Sequence, residues 1–139
     1  MGRKTVRAQI LALNGRTDEA ISELEGMTTT GEENFFTQLA TFYAHALRRD
    51  KERALGCLKD ELASAAIADL NYAWVMAQGF ALIGEKQKSL EWLNAAVERG
   101  FINFPLLHHL DPFLESIRGE PGFDRLMEST RQQWEAFEV

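Results

Sequence analysis

The chain has one cysteine, Cys57, so it cannot close a disulfide on itself, and a paired-thiol metal set cannot be assembled. Its spacing from Ala54 and Leu58 in ERALGCLKDELA predicts a packing position on a helix instead of a reactive thiol. Proline is also scarce, with three residues, Pro105, Pro112 and Pro121, all late in the chain. No apolar run approaches the length of a membrane-spanning helix, and the N terminus lacks the apolar core of a secretory signal. An excess of positive charge is missing too. Fifteen Lys and Arg against 21 Asp and Glu give a net charge of −6, which opposes strong nonspecific binding to nucleic acid. The opening GRKTVR is basic but has no interleaved aromatics, and it reads as a solvated terminus ahead of an apolar helix. The expectation is a soluble protein, cytoplasmic before any other compartment.

What remains is ordinary globular material. A chain of 139 residues can bury a core without crosslinks and falls within the size of one domain. Hydrophobic residues at 45% and charged residues at 26% are too apolar for a disordered chain.

The organising signal is a repeat. Gly15 with Ala20, Arg49 with Ala54 and Gly84 with Ser89 each pair a turn with a small residue five positions later, at successive separations of 34 and 35 residues. Each turn is flanked by apolar residues at helical spacing. The first unit carries Ala8 and Leu11, then Ala20, Ile21, Leu24 and Met27. The second carries Leu39, Phe42, Tyr43 and Ala46, then ALGCLKDEL. The third carries Ala73, Met76, Ala77 and Phe80, then Ser89, Leu90, Leu93, Ala96 and Val97. Small side chains at Ala8, Ala20, Ala54, Ala77 and Ala96 let helix backbones approach, and Leu24, Phe42 and Leu93 fill the space left.

Between the units, Gly31 in TTTGEEN is a helix stop whose polar neighbours can cap the next helix, and Asp69 or Asn71 is the expected cap of the third unit. Pro105 marks a boundary or the first turn of another helix. Further on, Asp111 is placed to cap a short helix beginning at Pro112, and Gly119 to release it before Pro121 starts the last one. In that last segment, Leu126, Met127 and Trp134 are expected to cover the exposed end of the third unit, with Glu128, Arg131 and Gln132 toward solvent.

With small and large residues in these places, the chain resembles the tetratricopeptide repeat family. Residues 1–34, 35–69 and 70–103 approximate three units, and Ala73, Met76, Ala77, Phe80, Ser89, Leu93 and Ala96 carry the best match. Ser89 stands where the family favours alanine, Phe101 near its terminal proline, and the second unit fits with a first helix shortened to Leu39–Ala46. The segment LDPFLESIRGEPGFDRLM is similar to the tail that follows such repeats in some bacterial regulatory and signalling proteins, through Leu110, Asp111, Pro112, Phe113, Ile117, Arg118, Pro121, Phe123, Leu126 and Met127. The resemblance implies a single all-α domain: a right-handed superhelix of about three helical hairpins, with capping helices over residues 104–139.

The resemblance also implies a site. First helices of the hairpins would line a concave surface for a protein or extended peptide at Thr5, Gln9, Ala12 and Leu13, at Thr37, Ala40, Ala44, Leu47 and Arg48, and at Asn71, Trp74, Gln78, Ala81 and Leu82. Polar Gln9, Arg48, Asn71 and Gln78 would bond a peptide backbone, and Leu13, Leu47, Trp74 and Leu82 would bury apolar side chains. The basic clamp with which family members hold terminal carboxylates is incomplete here.

No catalytic set emerges. Ser22, Ser64, Ser89, Ser116 and Ser129 lack a nucleophile elbow, and GEKQKS has the wrong order for a phosphate loop. His45 is remote from His108 and His109, and adjacent histidines on a regular helix point apart, so no metal or cofactor is expected. The function read from the sequence is a non-catalytic adaptor or regulatory module that binds protein. Its alternative is an architectural module that caps itself or forms homo-oligomers through Trp92, Phe101 or Trp134. A third reading places a small-molecule pocket between the third unit and the tail.

Overall fold

The computed structural model describes residues 2–29, 31, 33–60, 62, 66, 70–101 and 103–137. They form α1 (Gly2–Leu13), α2 (Thr17–Thr28), α3 (Phe35–Leu47), α4 (Lys51–Gly56), α5 (Leu70–Leu82), α6 (Lys86–Glu98) and α7 (Pro121–Phe137). A π turn (Leu106–Leu110) and a 3-10 helix (Pro112–Ile117) stand between α6 and α7. No strand occurs among the described residues, so the architecture is all-helical, built from helix hairpins. The chain divides into two compact units, Met1–Ala65 and Ala66–Val139.

The hairpin turns are made the same way three times. Gly15, Arg49 and Gly84 lie in the left-handed region with φ of 80°, 59° and 81°. At each, the residue's own amide and the next one reach back into the preceding helix. The pairs are Gly15 to Ala12 and Arg16 to Leu11, Arg49 to Ala46 and Asp50 to His45, and Gly84 to Ala81 and Glu85 to Phe80. Those bonds satisfy carbonyls that a helix end leaves open, which is why the chain reverses there.

In the first unit α1 packs on α2, α2 on α3, and α3 on α4. Ala8, Ala20 and Ala54 are fully buried, as are Leu24, Leu39 and Phe42, so the alternation of small and large residues is the core itself. Asn34 starts α3 with a capping box: its side chain accepts from the Phe36 and Thr37 amides, and Thr37 Oγ1 accepts from the Asn34 amide.

Three expectations need correction in this unit. GRKTVR does not precede the helix but opens α1, with Lys4, Val6 and Arg7 exposed and Thr5 on the buried face beside Ala8, Gln9 and Ala12. The first helix of the second unit is full length at Phe35–Leu47, since the Asn34 cap secures its start four residues before Leu39. The shortened element is α4, which stops at Gly56 instead of running through ALGCLKDEL. Glycine is a poor helix former, and Ala54 is the one buried residue of α4, so little packing holds a longer helix together.

In the second unit α5 and α6 form a hairpin closed over Ala77, Ser89, Leu93 and Ala96, all fully buried. Ser89 keeps the small-residue position by turning its hydroxyl to donate to the Ala77 carbonyl at 2.7 Å. Asn71 sits inside α5 and does not cap it, because the helix already begins at Leu70; Asp69 and the boundary between the second and third units lie outside the described residues. The 3-10 helix packs on α5, and α7 packs on α6 with Phe123 and Met127 buried. Leu126 and Trp134 are half-buried, and Glu128 and Gln132 face solvent.

Candidate functional site

Trp74 and Gln78 are four residues apart on α5, which sets them on one face of the helix. Both are buried, and both turn their side-chain N–H groups to the same atom. Trp74 Nε1 and Gln78 Nε2 each donate to Asp111 Oδ2 at 2.8 Å. The other oxygen, Oδ1, accepts from the Phe113 amide at 2.9 Å and thereby caps the 3-10 helix, as its place before Pro112 predicts. Asp111 is fully buried. Burial pushes its carboxyl above the usual aspartate range, while hydrogen bonds from Gln78, Phe113 and Trp74 and the charge of Arg118 pull the other way.

Around this carboxylate the tail is tied down on several sides. Phe101 lies against the Trp74 ring with centroids 4.8 Å apart. Ser116 Oγ donates to the Ala81 carbonyl at 3.0 Å. Arg118 donates to the His108 and Leu107 carbonyls at 2.8 and 3.3 Å, holding the π turn to the end of the 3-10 helix. Leu107, Leu114 and Ile117 are fully buried beneath. The polar groups between the third hairpin and the tail therefore converge on a residue of the chain itself.

Most of the residues expected on a concave surface are inward-facing in their own units. Thr5, Gln9, Ala12, Thr37, Ala40, Ala44, Leu47, Ala81 and Leu82 are buried alongside Trp74 and Gln78. Thr37 is engaged in the α3 cap. Thr5 Oγ1 is buried without a hydrogen-bond partner among the described residues. Leu13 and Asn71 are half-buried. Arg48 is exposed at the end of α3 and paired with Glu25 of α2. The structure brings Trp74 and Gln78 together through Asp111.

Among the described residues, the large apolar side chains most open to solvent are others: Val6 at 38%, Ile10 at 54%, Leu55 at 37% and Leu110 at 60% exposed. Val6 and Ile10 stand one turn apart on α1, flanked by exposed Lys4 and Arg7. Trp92, Phe101 and Trp134, the expected oligomerisation residues, are half-buried.

The histidine expectation needs revision in its geometry. His108 and His109 lie on a π turn and not a regular helix, which brings their Nδ1 atoms to 3.3 Å, and His108 stacks on Phe104. No group of three or more His, Cys, Asp or Glu placed to hold a metal occurs among the described residues. Cys57 is half-buried at the end of α4, its thiol donating to the Ala54 carbonyl at 3.1 Å, and burial pushes its pKa up. Ser64 lies outside the described residues. No described helix is long and apolar enough to cross a membrane. Open grooves run between α1 and α2, along Lys4, Arg7, Ser22 and Gly26, and between α6 and α7, along Leu90, Asn94, Gly122 and Leu126.

Sequence reasoning found the capping role of Asp111 and the exposed side of α7, but it missed the carboxylate's second set of partners. No family model matches the chain, and neither a curated protein nor a solved structure does.

Proposed function

We propose that the chain is a non-catalytic protein-interaction module of the tetratricopeptide type, its hairpins stacked as a right-handed superhelix and its C-terminal segment acting as a built-in cap. The observation that carries this reading is the occupation of α5. There the tail is held at Asp111, between the π turn and the 3-10 helix, by two directed side-chain donors and an aromatic wall. A helix face that grips another segment through Trp and Gln is suited to protein recognition, where aromatic anchors and directed polar groups carry affinity. The repeated left-handed turns at Gly15, Arg49 and Gly84 support the repeated-hairpin part.

The test is to purify the intact chain with its bound proteins and map protection by hydrogen exchange. Protection on α1, α3 or α5 is the expected result. A partner that protects none of these helices counts against the reading. A second reading, architectural self-association, is favoured by Val6 and Ile10 on the open face of α1. Sedimentation of the parent and of Ile10→Asp distinguishes the two, because a self-associating module loses its concentration dependence in the variant.

A further inference from the structure

We propose that His108 and His109 form half of a zinc site, both ligating through Nδ1, and that the same pair from a second copy of the chain completes the tetrahedron. The inference is independent of the interaction reading and uses residues that reading leaves aside.

The two histidines are adjacent in the chain, and on an α-helix adjacent side chains splay apart. Here they lie on the π turn, whose wider coil rotates successive residues through a smaller angle. Both are exposed, and their Nδ1 atoms stand 3.3 Å apart. Zinc–imidazole bonds of about 2.0–2.1 Å at a tetrahedral angle separate two ligating nitrogens by about 3.3–3.4 Å. The pair already has that bite, whereas a square-planar ion, with its bonds at right angles, would need about 2.9 Å. In the free chain the contact is a hydrogen bond that one ring donates. Shifting that ring to its Nε2-protonated tautomer leaves both Nδ1 lone pairs open to a metal.

The turn that carries the pair is fixed from several sides. The Asp111 amide closes it on the Leu106 carbonyl at 2.8 Å, and Leu107 and Asp111 are fully buried. Arg118 Nε donates to the His108 carbonyl at 2.8 Å. The Phe104 ring stacks on the His108 ring, with centroids 4.8 Å apart and planes at 25°. Backbone and ring are thus held before a metal arrives, which lowers the ordering cost of chelation.

Two nitrogens do not complete a zinc site, since structural zinc takes four protein ligands and catalytic zinc three. No third His, Cys, Asp or Glu joins the pair among the described residues. Both oxygens of neighbouring Asp111 are engaged by Trp74, Gln78 and the Phe113 amide. The remaining positions fall to another molecule. A second copy supplies two nitrogens, and a two-fold axis through the metal sets the two pairs in equivalent places, as a tetrahedron allows. Leu110, 60% exposed beside the pair, is the apolar surface that such a contact covers. Each chain carries a net charge of −6, so the copies repel one another until a cation stands between them.

Sedimentation of the metal-free full chain, with and without zinc chloride, tests the shared site. The expected result is a zinc-dependent doubling of mass with one zinc per two chains, reversed by EDTA. His108→Ala and His109→Ala each remove a ligand from both copies. Loss of a partner behind a ligand costs about 10–100-fold in metal affinity, so each variant should bind zinc at least about 100-fold more weakly in competition with a chelating dye. Both side chains are exposed, and circular dichroism should show the helicity of the parent. Nitrogen-15 NMR of the parent's imidazoles reads the site without any variant: zinc should move Nδ1, and not Nε2, of both rings to the metal-bound position. One zinc held by each monomeric chain would overturn the sharing between copies. Coordination through Nε2, zinc-driven association that survives in both variants, or no uptake of zinc at micromolar metal would overturn the chelate itself.

Discussion

If the turns at Gly15, Arg49 and Gly84 are one device used three times, the same position should respond to substitution with opposite signs. Gly84 has φ of +81°, and a Cβ built on it meets nothing within 4 Å, so the cost of a side chain there is torsional and not steric. The left-handed conformation costs an L-residue about 1–2 kcal/mol, and Gly→Ala recovers about 0.4–1 kcal/mol by stiffening the unfolded chain. Gly84→Ala should therefore lose about 1 kcal/mol. Gly84→Val, with a branched Cβ in that region, should lose about 2 kcal/mol. Arg49 already bears this strain at φ of +59°, with its side chain exposed. Arg49→Gly removes the strain and loosens the unfolded chain, for a net gain of about 1 kcal/mol.

Urea unfolding followed by far-ultraviolet circular dichroism reads these values directly, and a thermal scan should show shifts of roughly 2–4 °C per kcal/mol for a chain of this size. The two positions lie in different compact units, so hydrogen exchange can assign each change to its own hairpin. Arg49→Gly that destabilises, or leaves the midpoint where it was while Gly84→Ala lowers it, would refute the equivalence of the turns. The middle hairpin would then owe its reversal to the Arg49 side chain and not to its backbone.

Other perturbations follow from the packing. Leu93→Ala, at a fully buried position, should cost about 2–5 kcal/mol in chemical denaturation, and a loss below 1 would mean that the hairpin collapses around the gap. Ser89→Ala should cost about 1 kcal/mol through the bond to the Ala77 carbonyl, and Ser89→Val more, because the helices are too close for added methyls; the reverse order in thermal midpoints would contradict that closeness. Asn34→Ala should lose about 1 kcal/mol by uncapping α3, seen as faster amide exchange at Phe36 and Thr37. The Asp111 carboxyl is raised above its ordinary 3.8, so its contribution to stability is fully present below the unfolded value and lost as pH rises through the folded one. The stability difference between the parent and Asp111→Asn should accordingly shift against the parent as pH rises through that window, and a pH-independent difference would place the carboxyl back in the ordinary range.

What the sequence made legible depends on neighbours a few residues away. The turn at Gly84 is set by its own φ and by carbonyls of Phe80 and Ala81, and the small-residue positions recur at fixed offsets from it. The short α4 is hidden because ALGCLKDEL has helical periodicity, while the helix ends at Gly56, a poor helix former. The candidate surface on α5 was half legible. Position on the helix predicts apolar burial for Trp74 and polar bonding for Gln78, but the carboxylate both donate to is 37 and 33 residues away in the chain. Asp111 itself reads as a cap from its place before Pro112, and a cap uses one carboxylate oxygen. A capping aspartate set among Leu107, Leu114 and Ile117 has a second oxygen that must also find a donor once water is excluded. Following that oxygen leads from a local helix stop to Trp74 and Gln78, and it turns a punctuation residue into the point where the tail and the third hairpin are joined.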